Sequence, residues 1–206
     1  MERRQILIAG SAALALLPTA PKLLGARRAW AEEAPVVDGE RILGQVEAPI
    51  TIIEYSSLTC PHCARFHKDT LPAVKKDWIV PGKARLVYRD FPLDGLALRA
   101  ATVASCVEGD AYFSFLDALF RGQSQWSRAK DPTAALAQVA RFAGIDQKTF
   151  DACISDKAEM DRILKQKVEG SQAYDVESTP TFIINGDKVA GALGPEAFDK
   201  ALAKAE

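Results

Sequence analysis

Apolar β-branched residues run together from Ile50 to Tyr55 in "ITIIEY", a pattern that predicts a buried strand. From Cys60 the period changes. Phe66, Leu71 and Val74 recur at helical spacing, and because Val74 and Trp78 continue the pattern, Pro72 is expected to kink this helix rather than end it. "VPGK" stops it, and "ARLVYRDF" from Ala84 predicts a second strand. Between about Leu96 and Tyr174, Ala-rich amphipathic stretches are punctuated by Gly109-Asp110, Lys130-Asp131-Pro132, Gly144-Ile145-Asp146 and Ser155-Asp156, which gives five or so helices. "TFIINGDKVAGA" returns to β character, with Asn185-Gly186 as a hairpin signal, and Gly194-Pro195 opens a last helix, roughly Pro195 to Ala205. Two β-rich ends enclosing helices predict an α/β fold in which the ends share one sheet and the middle is an inserted lid.

Composition adds little to that picture until the first residues are considered. The chain of 206 residues is 48% hydrophobic and 26% charged, as expected of a soluble globular protein with one sizeable core or two small ones. Residues 1–31 stand apart: Arg3 and Arg4 precede an uncharged stretch from Gln5 to Ala20, and Ala29-Trp30-Ala31 forms a small-x-small site before Glu32. This predicts a cleaved export leader, leaving 32–206 as the folded part. The twin arginine, with Lys22, Arg27 and Arg28 nearer the cleavage site, leaves the secretory and folded-protein routes both open. A membrane anchor is the competing interpretation, but Pro18 and Pro21 cut the apolar run short of the roughly 20 residues a bilayer requires.

Removing residues 1–31 takes five of the 26 Lys/Arg and one of the 27 Asp/Glu, leaving a net charge of −5. No basic run remains to suggest nucleic acid. Export would place the four cysteines in an oxidising compartment where disulfides persist.

"TCPHCARFH" carries the candidate chemistry, since Cys60 and Cys63 lie two residues apart. Haem attachment would need His directly after Cys63, where Ala64 stands. Zinc would need four ligands, and Cys60, Cys63 and His67 lack a second close pair. Redox exchange fits the position better, because a cysteine at the first turn of a helix faces orphan N–H groups and the positive end of the dipole. Cys60 is thereby placed to ionise, Pro61 forfeits no hydrogen bond there, and His62 can add a charge or donor. Cys63, one turn in, is the natural resolving thiol. A Cys60 pKa near 4.5 would favour the dithiol form by about 3.4 kcal/mol at pH 7, raising the potential by roughly 70 mV.

"IIEYSSLTCPHC", "VYRDFPL" and "ESTPTFIING" together resemble a bacterial thiol-disulfide oxidoreductase of the DsbA type, over nearly all of the chain after residue 31. The resemblance implies a thioredoxin fold with a helical insertion, here about 96–174. It makes Cys60 the attacking thiol, Cys63 its resolving partner and Pro61-His62 the dipeptide that sets redox poise. It also makes Thr179-Pro180 the substrate-facing loop with a cis proline, and Glu54 a buried acid that relays protons. Thr179 departs from the Val of some members, which leaves the redox poise open. The partners implied are folding exported proteins with free cysteines and a DsbB-type, quinone-linked reoxidant. The setting is the periplasm and the state a monomer, with no cofactor and no metal expected.

Other residues have plainer readings. Glu54 can instead be the outward residue of an edge strand, and His67 an exposed or core-edge side chain. Cys106 and Cys153 are either buried thiols or, as export favours, a disulfide fastening the insertion, worth about 4 kcal/mol in the chain-entropy model. Trp78, Phe113, Phe115 and Trp126 are read as packing. Two rivals stand beside disulfide donation: an isomerase or reductase of the same fold, and a metal carrier using the C-x-x-C pair.

Overall fold

A computed structural model describes residues 40–109 and 111–205; the leader predicted on residues 1–31 lies outside these. Five strands form one sheet in the order β1-β3-β2-β4-β5, with β1 at Arg41–Leu43, β2 at Ile50–Ser56, β3 at Ala84–Asp90, β4 at Thr181–Ile184 and β5 at Asp187–Ala190. β2 pairs parallel to β3 and antiparallel to β4, so it is central, and all seven of its residues are buried. A strand covered on both sides must be apolar on both faces, which is why "ITII" lacks alternation. Ile50 and Ile52 enter one core, with Phe66, Leu71, Val74, Trp78, Phe198 and Leu202. Ile53 and Tyr55 enter another on the opposite face, with Val87, Val176 and Ile183.

The helix after β2 runs from Pro61 to Ile79 in four pieces: α1 (Pro61–Arg65), a π-helical turn (Phe66–Thr70), α2 (Leu71–Val74) and a second π-helical turn (Lys75–Ile79). The expected disturbance at Pro72 takes this form for a covalent reason. Pro72 has no N–H for the carbonyl four residues back, and the ladder widens so that the Leu71 N–H reaches the Phe66 carbonyl instead.

Six helices lie between β3 and β4: α3 (Gly95–Ser105), α4 (Ala111–Arg121), α5 (Gln123–Ser127), α6 (Pro132–Phe142), α7 (Gln147–Ile154) and α8 (Lys157–Tyr174). Four of them start on an aspartate whose carboxylate accepts a first-turn N–H: Asp94 from Ala97, Asp131 from Ala134, Asp146 from Thr149 and Asp156 from Glu159. Each cap is worth about 1 kcal/mol and fixes where its helix begins. A disulfide joins Cys106, just past α3, to Cys153 in α7, with Cα atoms 6.3 Å apart and a sequence separation of 47. The helical block has its own core, built around Leu116, Leu119, Trp126, Leu136 and Phe150. Phe115 is buried there too, and Phe113 is partly buried between this core and the one under the sheet.

The Asn185-Gly186 hairpin forms with positive φ at both positions, 44° and 92°. α9 spans Pro195–Ala203 and packs on α2. β1 had no sequence signal: three half-buried residues acquire strand geometry only by pairing antiparallel with Leu86–Tyr88 of β3.

Candidate active site

Cys60 is the N-cap residue of α1, with extended backbone angles, and is 5% exposed. Its sulfur donates to the Thr179 carbonyl at 3.3 Å, across a cis Thr179-Pro180 peptide bond. Both cysteines are free thiols. Cys63 is fully buried and its sulfur accepts the Ser57 N–H at 3.5 Å. Pro61 and His62 are exposed at the surface.

The two sulfurs are driven apart electrically. Cys60 is lowered to about 5, first by a hydrogen bond from the Cys63 thiol, against the opposing effect of burial, with help from Thr179 and from the N–H groups of Cys63 and His62. Burial pushes Cys63 well up, and the developing charge on Cys60 adds to this. The donor that His62 adds beside the sulfur is its backbone N–H. Thr179 faces Cys60 twice. Its carbonyl serves the protonated thiol, while its hydroxyl lies close enough to favour the thiolate but closes no hydrogen bond of ordinary geometry.

Glu54 and His67 form a buried pair beneath this turn, with His67 Nε2 2.9 Å from Glu54 Oε1 and the residues 2% and 0% exposed respectively. The placement follows from two periods. Glu54 and Ser56 are two apart on β2, about 7 Å, and Cys63 and His67 are four apart on the helix, about 6 Å, so each pair meets the other rung for rung. Ser56 accordingly lies beside the Cys63 sulfur, favouring its thiolate without a well-formed hydrogen bond. The edge-strand alternative for Glu54 falls because β2 is central, and the exposed or core-edge expectation for His67 is corrected: its ring stacks on Phe120 at 4.0 Å. A carboxylate on a central strand needs a partner, and that was the available sequence signal. Among the described residues Glu54 Oε2 has no hydrogen-bond partner.

Two contacts escaped the sequence. Thr59 donates to Asp94 Oδ2 at 2.7 Å, tying the active-site turn to the start of α3. Gln123, from α5, donates to the Leu58 and Cys60 carbonyls. A polar residue at a helix start carries no mark of such a role.

The thioredoxin family model matches residues 37–204. The crystal structure of α-DsbA1 from Wolbachia pipientis superposes with a TM-score of 0.77 at 32% identity, covering 85% of this chain and 94% of that one. A Rickettsia bellii protein named for protein-disulfide oxidoreduction is 28% identical over 151 residues, 72% of this chain and 58% of its own length. Disulfide bond formation protein D of Bacillus subtilis is 27% identical over 169 residues, 75% of this chain and 71% of its own. The chain thus spans little more than half of the rickettsial relative. Identity above 30% across nearly the whole of a solved relative is kinship and not shared architecture alone: the chain belongs to the thioredoxin family and, within it, to the DsbA-type thiol-disulfide oxidoreductases.

Proposed function

We propose that the Cys60-Cys63 disulfide is donated to folding exported proteins. A substrate thiolate attacks Cys60 Sγ, the Cys60-Cys63 bond breaks, and a mixed disulfide forms at Cys60. The second substrate thiol then attacks the substrate sulfur of that bond and releases Cys60. The substrate is oxidised by two electrons and gives up two protons. One ends on Cys63 and the other goes to solvent, because Cys60 leaves as a thiolate. The observation that carries this reading is the opposed tuning of the two sulfurs, Cys60 down to about 5 and Cys63 well up. Ionisation of Cys60 favours the dithiol at pH 7 by about 3 kcal/mol, or roughly 60 mV toward oxidant.

Cys63 is buried, so its proton must come through the interior. Glu54, held by His67 one rung below, is the group we assign to relay it. The Thr179 main chain, already in contact with the Cys60 sulfur, is where an extended substrate strand would pair, next to Pro180. Cleavage after residue 31, action in the periplasm as a monomer, a helical insertion at about 96–174 and reoxidation by a DsbB-type membrane partner complete the proposal. Among the described residues no helix is long and apolar enough to cross a membrane.

The test is the reduction potential of the pair against glutathione. A value near the oxidising end of the range of about −270 to −120 mV is expected. A value at the thioredoxin end would overturn donation and assign the chain to reduction or isomerisation.

A further inference from the structure

The Cys60-Pro61 peptide is an exposed point in the electrostatics of the site. Pro61 supplies no N–H, so the orientation of this peptide plane rests on its carbonyl alone. That carbonyl accepts the first helical hydrogen bond, from Ala64 N–H at 3.2 Å, and a second from Gln123 Nε2 at 2.9 Å. The other hydrogen of the same amide goes to the Leu58 carbonyl, also at 2.9 Å. Gln123 is buried, and both its donors are thus spent on the two carbonyls that bracket the turn into the nucleophile. The Cys60 N–H is fixed separately, on the Ser57 carbonyl at 3.0 Å.

We propose that Gln123 is a positioning residue for Cys60, holding the flanking carbonyls so that the N–H groups of His62 and Cys63 face the sulfur. Two effects follow from one amide. Geometrically, the peptide plane cannot rotate to bring its oxygen toward Sγ. Electrostatically, two partial negative charges near a thiolate are satisfied by the amide hydrogens instead of opposing the anion. Gln123 belongs to α5, so the helical block contributes directly to the reactivity of a thiol at the start of α1.

This inference rests on Cys60 being the ionising thiol, and one experiment separates the two claims. The ultraviolet absorbance of the thiolate is titrated in the reduced parent and in Q123L and Q123M, with Q125L as an exposed control on the same helix. A parent midpoint near 5 that rises by about one pH unit in both variants, and stays put in Q125L, is expected. A Gln123 that only staples α5 to the turn would lower stability to urea and leave the midpoint unmoved, and that result overturns the proposal. A parent midpoint at an ordinary thiol value would instead overturn the function proposed above, and this inference with it. The parent also supplies a test that needs no variant. The side-chain amide resonances of Gln123 should be protected from solvent exchange and should shift with the Cys60 midpoint; amide protons that exchange freely and ignore that titration would overturn the clamp.

Discussion

Two sulfurs separated by one helical turn differ because Cys60 receives the Cys63 thiol's hydrogen bond and faces first-turn N–H groups, while burial of Cys63 outweighs the contacts that would favour its charge. The consequence for stability has a definite sign. A thiol lowered to about 5 when folded, against about 8.5 when unfolded, stabilises the dithiol protein by an amount that grows with pH between those two values, is fully present above the higher and is lost as pH falls through the lower. The pH-dependent part of the difference in stability between the reduced and oxidised proteins should therefore grow in favour of the reduced form from about pH 5 to about pH 8, reaching about 3 kcal/mol at pH 7, and vanish below pH 5. Paired urea denaturation of the two redox forms across this range measures it. At the Glu54-His67 pair, H67L strands a buried carboxylate and should cost about 3 kcal/mol or more. E54L/H67L removes both polar groups and should be the more stable of the two variants in the same assay. The reactive pair and the acid were legible in sequence because C-x-x-C and a carboxylate amid isoleucines are both locally improbable. His67 was not, since its burial depends on a strand that arrives from outside its own helix.

Among the elements, α8 makes the sharpest packing demand. Gly170 of α8 faces the Tyr55 ring so closely that a Cβ there would stand 2.4 Å from a ring carbon. Alanine is the better helix former by about 1 kcal/mol, so a solvent-facing site would gain from G170A. Here the ring cannot yield, because Tyr55 is buried and its hydroxyl accepts from Arg89 at 2.9 Å. G170A should lower the urea midpoint, by about 2 kcal/mol or more in stability. The link between α3 and α7 is equally testable. Replacing both Cys106 and Cys153 by Ala releases a loop closure across 47 positions, and a loss of about 4 kcal/mol is expected from denaturation of the Cys60-Cys63-reduced protein. Helix starts were legible because aspartates mark them. The π-turns were not, because the sequence announces a proline but not how the ladder will widen around it.

For the molecule as a whole, the seam between sheet and helical block carries a buried carboxyl. Asp90 ends β3, donates its backbone N–H to Gln166 Oε1 of α8, and is pushed up to about 7 by burial, which the nearby Arg162 only partly offsets. An acid with a raised folded pKa binds its proton more tightly when folded, so it costs stability as pH rises from about 4 to about 7. D90N should flatten the pH-stability curve in that interval, which thermal unfolding at a series of pH values will reveal. The overall architecture was readable because β and helical periods segregate along the chain, and Asn185-Gly186 has few uses outside a hairpin. The brief strand β1 was not, because it exists only by virtue of its neighbour.

Each π-turn in the helix after β2 winds one residue more than an α-turn, which amounts to about 100° of phase. Phe66 and Leu71, five residues apart, can thus enter the same core, while Cys63 and His67 look toward β2 and the helical block. The sulfurs and the apolar wall are geared to each other through that one extra residue. Excising an exposed position such as Asp69 would leave both half-helices intact and yet turn the thiols away from Thr179, a loss of function with no loss of helix.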